Sequence, residues 1–590
     1  MGPSVQPGYF NDGEKRWRGF VLPLAAFLLA AFVFFFRLGS YPLINPDEGR
    51  NAQVALEMHD SGAWLVPTLN GYPYLDKPAF YFRLVALSIA ALGKNEASAR
   101  LPSSLFAMAL CILVYFFCRR VYGSRLAALA VVVFASIPLV MVFARIVIFD
   151  MPLAFFTAAS IVSAFLAEES VGRKQRIYEI LGAAAAGFGT LVKGPVGFVV
   201  PALVIFFFDI MRRKPRAILR IVHPINLLVF LAVVLPWFIG VSMKQPDFFH
   251  YGLVEETLRR YTTPSFKRTG PIWYYLPVLA GVLFPYSLIV PGAILSAWRF
   301  RKILGPADRL FMVWALVVVI FFSTSHSKLP GYILSAMFPV GILIARFFEA
   351  ALLHPSGRSG RLIFAAVLGL SLISAALISL LLYDRFYPGI FTSLFHIPSE
   401  TYDLMRPSFA LMVSSFTVIL VMAVLVCLIR RVELALIFFL ILPVGLFTVS
   451  FQEIAHHGEA KSFRRLAARL SELPEDTVIG CLASFPLGLR FYLDRPFVLI
   501  TGDGSELTSN YVQYELQKQQ TWPPGFVHIR DRDDWLVTQK QPVFLLSEKN
   551  GRFVLEKMAA YRGVNISEWF PGWWGAYLPK TNLQGSAVHQ

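Results

Sequence analysis

Residues 79–93 read AFYFRLVALSIAALG, and whether they cross a bilayer decides which loops of the chain share a side. A span needs about 20 apolar residues. This run offers 15 and carries Arg83 among them, which suits a helix lying at the interface better than one passing through it.

Longer apolar runs surround it, beginning near Phe20, Leu101, Leu126, Met151, Ile177, Pro195, Ile225, Ile272, Leu310, Tyr332, Leu362, Phe409 and Glu433. Basic clusters punctuate them at Lys15, Arg16 and Arg18, at Arg119, Arg120 and Arg125, and at Arg173, Lys174 and Arg176. Others follow at Arg212, Arg213, Lys214 and Arg216, at Arg299, Arg301 and Lys302, at Arg358 and Arg361, and at Arg430 and Arg431. Lys and Arg concentrate in cytoplasmic loops. These clusters fall on every second connection only if 79–93 stays on one side, which predicts about thirteen spans, N-terminus inside and C-terminus outside. The outer segments are then 37–100, 145–150, 193–194, 242–271, 324–331, 383–406 and everything after residue 450.

Composition agrees with lipid as the main solvent: 56% of the 590 residues are hydrophobic, 15% are charged, and the mean hydropathy is +0.59. A formal charge of +17 suits cytoplasmic loops facing anionic headgroups, so no nucleic-acid partner is expected. Cys111, Cys118 and Cys427 sit in apolar runs and Cys481 stands alone in the tail, which offers no disulfide framework. From residue 451 the polar residues return. An amphipathic helix over 462–473 and strand-like runs at 477–482, 497–501 and 542–546 predict a small α/β domain over 451–590, outside the membrane.

Ionisable residues gather at the outer ends of the spans. The first outer loop holds Pro46-Asp47-Glu48-Gly49-Arg50 and, further on, Tyr72-Pro73-Tyr74-Leu75-Asp76-Lys77-Pro78, each with a carboxylate beside a cation. Asp150 stands just before an apolar helix, and Lys193 separates two apolar runs. Arg259 and Arg260 follow Glu255 and Glu256, and Lys328 precedes Leu329-Pro330-Gly331-Tyr332. Charges this close to hydrocarbon are costly unless a cavity or a partner receives them. One cavity at the outer leaflet accounts for the set; a purely structural ion-pair network is the plainer alternative.

Several of these stretches resemble a known family. PDEGRNAQVALEM (46–58), GYPYLDKPAFYF (71–82), ASARLPS (97–103), ARIVIFDMPLAFF (144–156), LVKGPVG (191–197), VEETLRRY (254–261), PIWYYLPVL (271–279) and HSKLPGYIL (326–334) together resemble the bacterial lipid A aminoarabinose transferases. More widely they resemble the protein O-mannosyltransferase superfamily of GT-C glycosyltransferases. The resemblance implies a polytopic α-helical membrane protein of GT-C fold, with about 13 transmembrane helices and interfacial helices in a periplasmic first loop. A transferase domain would cover 1–450 and a periplasmic α/β domain 451–590. It also implies an undecaprenyl phosphate-linked sugar donor, most simply carrying 4-amino-4-deoxy-L-arabinose, with lipid A or another outer-leaflet acceptor, in the bacterial inner membrane.

By position in the motifs, Asp47 matches the family's catalytic aspartate, and Arg50, Lys77, Arg260 and Tyr332 match residues around the lipid phosphate. Asp150 and Lys193 match further cavity residues, Asp150 being the second catalytic candidate, and Tyr74 matches an aromatic of the first loop. Arg259 and Lys328 join the substrate-binding candidates through their place at the same span ends. Two positions depart from the pattern: Asp76 stands where the family commonly has Glu, and Thr257 where it has His. That Glu and His resemble metal ligands, so the departures argue against a bound zinc and leave Asp76 as the one candidate ligand.

Competing readings keep the same donor class with a different sugar or acceptor, as in protein O-mannosylation or surface polysaccharide assembly. From other classes come a lipid-linked sugar transporter and a non-catalytic assembly protein. Transporters usually hold ionisable residues near the midplane on broken helices, whereas these lie at outer span ends, which favours an enzyme.

Overall fold

The computed structural model describes residues 12–214, 219–252, 269–299, 304–396, 399–519 and 521–580. Eight helices among them are long and apolar enough to cross a membrane: Glu96–Tyr122, Asp150–Glu168, Pro224–Lys244, Pro306–Thr324, Pro330–Leu353, Arg358–Phe386, Arg406–Ile429 and Val432–Val449. The run expected from Ile272 is broken instead into Tyr275–Val282 and Tyr286–Leu295, set at 118° to each other across Pro285, and counts as a ninth span if the pair is taken as one. The remaining predicted runs are the shorter helices Val21–Phe35, Ser124–Ala135 and Val196–Met211, and Gly172–Lys193, whose first turns are basic. The expected figure of about thirteen is reached only by adding these four.

The deciding stretch forms the helix Phe80–Leu92. Its 13 residues reach about 20 Å at 1.5 Å per residue, short of a hydrocarbon core of about 30 Å. Tyr81, Phe82, Val85, Ala86 and Ile89 are buried on one face, while Arg83 Nε donates to the Trp64 carbonyl at 2.7 Å. The next helix starts sharply because Asn95 caps it: the Asn95 side chain accepts from Ser98 N and Ser98 Oγ accepts from Asn95 N.

The tail folds around one six-stranded sheet. Its strands are β3 (Val478–Leu482), β4 (Phe497–Thr501), β5 (Phe526–His528), β6 (Val543–Glu548), β7 (Ser567–Phe570) and β8 (Trp573–Leu578); a separate hairpin of β1 (Thr68–Leu69) and β2 (Tyr72–Pro73) lies in the first outer loop. The order is β5-β4-β3-β6-β8-β7, parallel from β5 to β6 and antiparallel beyond. The parallel strands read as unbroken apolar runs such as VFLL because helices cover both faces. Trp573 is buried and Trp569 meets Phe544 edge-on at 4.4 Å, so these tryptophans serve the domain core.

The domain does not hang free. One buried cluster contains Ala52, Tyr74 and Phe82 of the first loop together with Leu466, Phe491 and Tyr511 of the tail. The backbones meet at Gly49 and Gly488, where a Cβ on Gly488 would lie 2.6 Å from Gly49 Cα and where Gly488 has a φ of +80°. Both reasons demand glycine there. Gln53 fixes the contact by accepting from Gly488 N at 3.0 Å.

Candidate active site

The helix Asp47–Ser61 carries the first candidates. Its first turn is acidic, as the positive end of a helix dipole favours, and it stops at Gly62 in the left-handed region. Successive residues of that first turn face different ways. Glu48 points inward and binds the Arg100 guanidinium through both oxygens, at 2.7 and 2.8 Å. The remaining Arg100 hydrogens go to the carbonyls of Leu38, Tyr41 and Pro42, so a fully buried cation is fully satisfied. Glu48 also accepts from Val147 N, and Asn51 Nδ2 donates to the Val147 carbonyl at 2.8 Å. The segment leading to Asp150 is thereby pinned to the same helix.

Asp47 faces the other way and pairs with Arg50 at 2.6 Å. Its side chain is 35% exposed against 12% for Arg50, so the carboxylate is the part of the pair open to a substrate. Arg50 lies 6.0 Å over the Tyr74 ring and donates through Nη1 to the carbonyl and hydroxyl of Thr508 in the tail. Burial opposes its charge, but Tyr74, Asp47 and Asp76 outweigh that and raise its pKa.

Asp76 is buried and accepts from Tyr251 Oη at 2.7 Å, Tyr511 N at 2.8 Å and Asn510 N at 3.2 Å. Both Asp76 oxygens are engaged by these hydrogen-bond donors. Among the described residues there is no group of three or more His, Cys, Asp or Glu able to hold an ion. Lys77 donates to the Asp76 carbonyl at 2.6 Å and is half-buried beside it.

A second centre lies beyond an aromatic wall, in which Tyr74 contacts Phe82 at 5.8 Å and Phe82 contacts Phe149 at 5.2 Å. Behind Phe149, Asp150 binds Lys193 at 2.7 Å, and the Lys193 ammonium sits 4.8 Å over the Tyr332 ring. Gly331 permits this packing: a Cβ there would lie 2.5 Å from Phe143 and 3.0 Å from Asp150 Oδ1. A small cavity between them is lined by Asp150, Thr157, Val196, Phe322, Tyr332 and Ser335.

Lys328 is buried, and its ammonium donates to the carbonyls of Ser323 and Ser325, stapling its own loop. Arg259, Arg260 and Thr257 lie outside the described residues. Sequence reasoning missed Thr508, Asn510, Tyr511 and Tyr251, and no local signal pairs Thr508 with Arg50, 458 positions away. Arg100 was visible inside ASARLPS, but nothing in the sequence named Glu48 as its partner.

Known proteins resemble this chain along nearly its whole length. Residues 76–239 match the dolichyl-phosphate-mannose-protein mannosyltransferase family model. The chain is 28% identical over 545 residues to the undecaprenyl phosphate-alpha-4-amino-4-deoxy-L-arabinose arabinosyl transferase of Shewanella sediminis, covering 91% of this chain and 94% of that protein. The enzyme of the same name from Yersinia enterocolitica is 31% identical over 324 residues, 54% of this chain and 58% of that protein. Among solved structures, ArnT from Cupriavidus metallidurans bound to undecaprenyl phosphate superposes with a TM-score of 0.79 at 24% identity, covering 97% and 99% of the two chains. Fold and sequence together give a multi-pass membrane protein of GT-C fold. The chain is similar along nearly its whole length to ArnT and to the Shewanella arabinosyl transferase.

Proposed function

We propose that the chain transfers 4-amino-4-deoxy-L-arabinose from undecaprenyl phosphate to lipid A on the periplasmic face of the bacterial inner membrane. Residues 1–450 would form the transferase domain and 451–590 a periplasmic domain docked on its first loop. The observation that carries the reading is the Asp47–Arg50 pair, a partly open carboxylate held at 2.6 Å by a cation on the loop that resembles the family's catalytic motif. The full-length similarity to the Shewanella enzyme supports the choice of sugar and carrier.

Glycosyl transfer from a sugar phosphate builds negative charge on the departing phosphate while positive charge spreads over the sugar ring. Cations aimed at the phosphate therefore stabilise the transition state more than the ground state. In this reading Arg50, Lys77, Lys193, Arg259 and Arg260 supply them, and the Tyr332 hydroxyl adds a neutral donor. Asp150 holds Lys193 in place through their 2.7 Å pair. Asp47, kept in position by Arg50, takes the proton of a hydroxyl acceptor, a step worth roughly 10²- to 10⁴-fold. Where the acceptor is a lipid A phosphate, already ionised, Asp47 orients it and stabilises the oxocarbenium-like ring.

The test is transfer by the purified full-length protein from undecaprenyl phosphate-aminoarabinose to lipid A. Wild type should convert both substrates, and Asp47→Asn should fold and insert normally while losing at least 10²-fold in kcat. Undiminished turnover by Asp47→Asn removes that residue from the mechanism, and no transfer by wild type removes this donor and acceptor.

A further inference from the structure

We propose that Thr508 of the C-terminal domain is a positioning residue of the active site, holding Arg50 so that its other edge presents Asp47 to the acceptor. The inference rests on the transferase reading above and deepens it.

Arg50 divides its guanidinium between two parts of the chain. Nη2 takes Asp47 Oδ1 at 2.6 Å, while Nη1 donates to the Thr508 carbonyl at 3.1 Å and to the Thr508 hydroxyl. The planar fork of an arginine transmits orientation from one edge to the other, as an ammonium does not. Fixing Nη1 therefore fixes the direction from which Asp47 is held.

The backbone at Thr508 is strained, which an incidental contact would not require. Its φ is +51°, a left-handed conformation that β-branched residues avoid. Such a residue persists only where its surroundings over-determine it. They do here: Thr508 N donates to the Ser505 carbonyl at 2.9 Å, and Thr501 Oγ1 accepts from Asp503 N and Gly504 N. Asp503 Oδ1 accepts from Ser505 N, Leu507 is fully buried, and Ser509 Oγ caps the following helix at Val512 N. Glycine would adopt this backbone at lower cost but brings no hydroxyl.

The neighbouring residues act on the same loop. Asn510 and Tyr511 give their amides to Asp76, the residue before Lys77. All of them follow β4 at its carboxyl end, the edge at which parallel α/β sheets place their functional loops. The C-terminal domain thus supplies one wall of the catalytic loop's support.

Full-length Thr508→Val and Thr508→Ser test the role. Valine keeps the β-branch and loses the hydroxyl; serine keeps the hydroxyl. Thr508→Val should lower kcat about tenfold with the KM for undecaprenyl phosphate-aminoarabinose within about twofold, and Thr508→Ser should restore most of the rate. Full activity in Thr508→Val, or an equal loss in Thr508→Ser, overturns the proposal. A readout that needs no turnover separates this from failure of the transferase reading: a double-mutant cycle of Arg50→Gln and Thr508→Val in thermal unfolding of the detergent-solubilised protein. Non-additive shifts are expected, and additive ones overturn the positioning role whether or not wild type transfers this sugar.

Discussion

Glu48 takes the Nε and Nη2 edge of the Arg100 guanidinium with both its oxygens, at 2.7 and 2.8 Å, where both side chains are buried. The pair locks the start of the Asp47 helix to the helix Glu96–Tyr122. A buried pair is neutral or costly compared with an apolar filling, but removing one partner strands the other. Arg100→Met should therefore destabilise the protein by about 3–5 kcal/mol, read as thermal unfolding in micelles, and the double variant Glu48→Met with Arg100→Met should recover part of that loss.

The contact between Gly49 and Gly488 leaves no room for a methyl group. Gly488→Ala forces a left-handed alanine and a 2.6 Å clash with Gly49 Cα. The expected result is faster proteolysis at the junction between the first loop and the tail, together with loss of transfer, since the loop carrying Thr508 would be displaced from Arg50. Unchanged protease resistance would contradict the docking described here.

Lys193 is the cation of the second centre, 15% exposed and bound to a buried Asp150. If it meets the departing phosphate, Lys193→Met should cut kcat/KM by about 10²- to 10³-fold. Asp150→Asn should cost less, because it loosens the lysine without removing its charge. Equal rates in wild type and Lys193→Met would confine this pair to a structural role.

Acidity should affect the tail through Glu506. Burial pushes its carboxyl above the usual range, while a hydrogen bond from Thr501 pulls the other way and does not cancel it. A carboxyl raised in the folded state binds its proton more tightly there than in the unfolded chain, so this group destabilises the fold at neutral pH. That penalty fades as pH falls through the raised value towards the ordinary carboxylate range. Glu506→Gln should raise the Tm at pH 7 by about 1–2 °C and flatten its rise on acidification.

The membrane helices were legible because hydropathy and basic clusters act over long runs, and 79–93 became a short helix for the reason its length gave. Three parallel strands were legible as apolar runs. β5 is only three residues long, and β7 and β8 mix Trp, Tyr and Glu with small residues, so their pairing depends on partners the local pattern does not reveal. Asp47, Arg50 and Tyr74 stood out together because they share one loop. Thr508 and Tyr511 did not, because each becomes part of the site only when the tail docks, and Tyr251 did not, because it reaches Asp76 from a distant outer segment. The bonds from Lys328 to carbonyls of its own turn were not legible, because a cation at a span end can meet such carbonyls as well as a ligand.

The most direct measurement of the central claim is mass spectrometry of lipid A from bacteria lacking this chain, complemented either with wild type or with Asp47→Asn. The account predicts an aminoarabinose adduct on lipid A with wild type and none with Asp47→Asn at equal membrane abundance. Lipid A identical in all strains, with a change confined to a surface polysaccharide or to glycosylated protein, would contradict it.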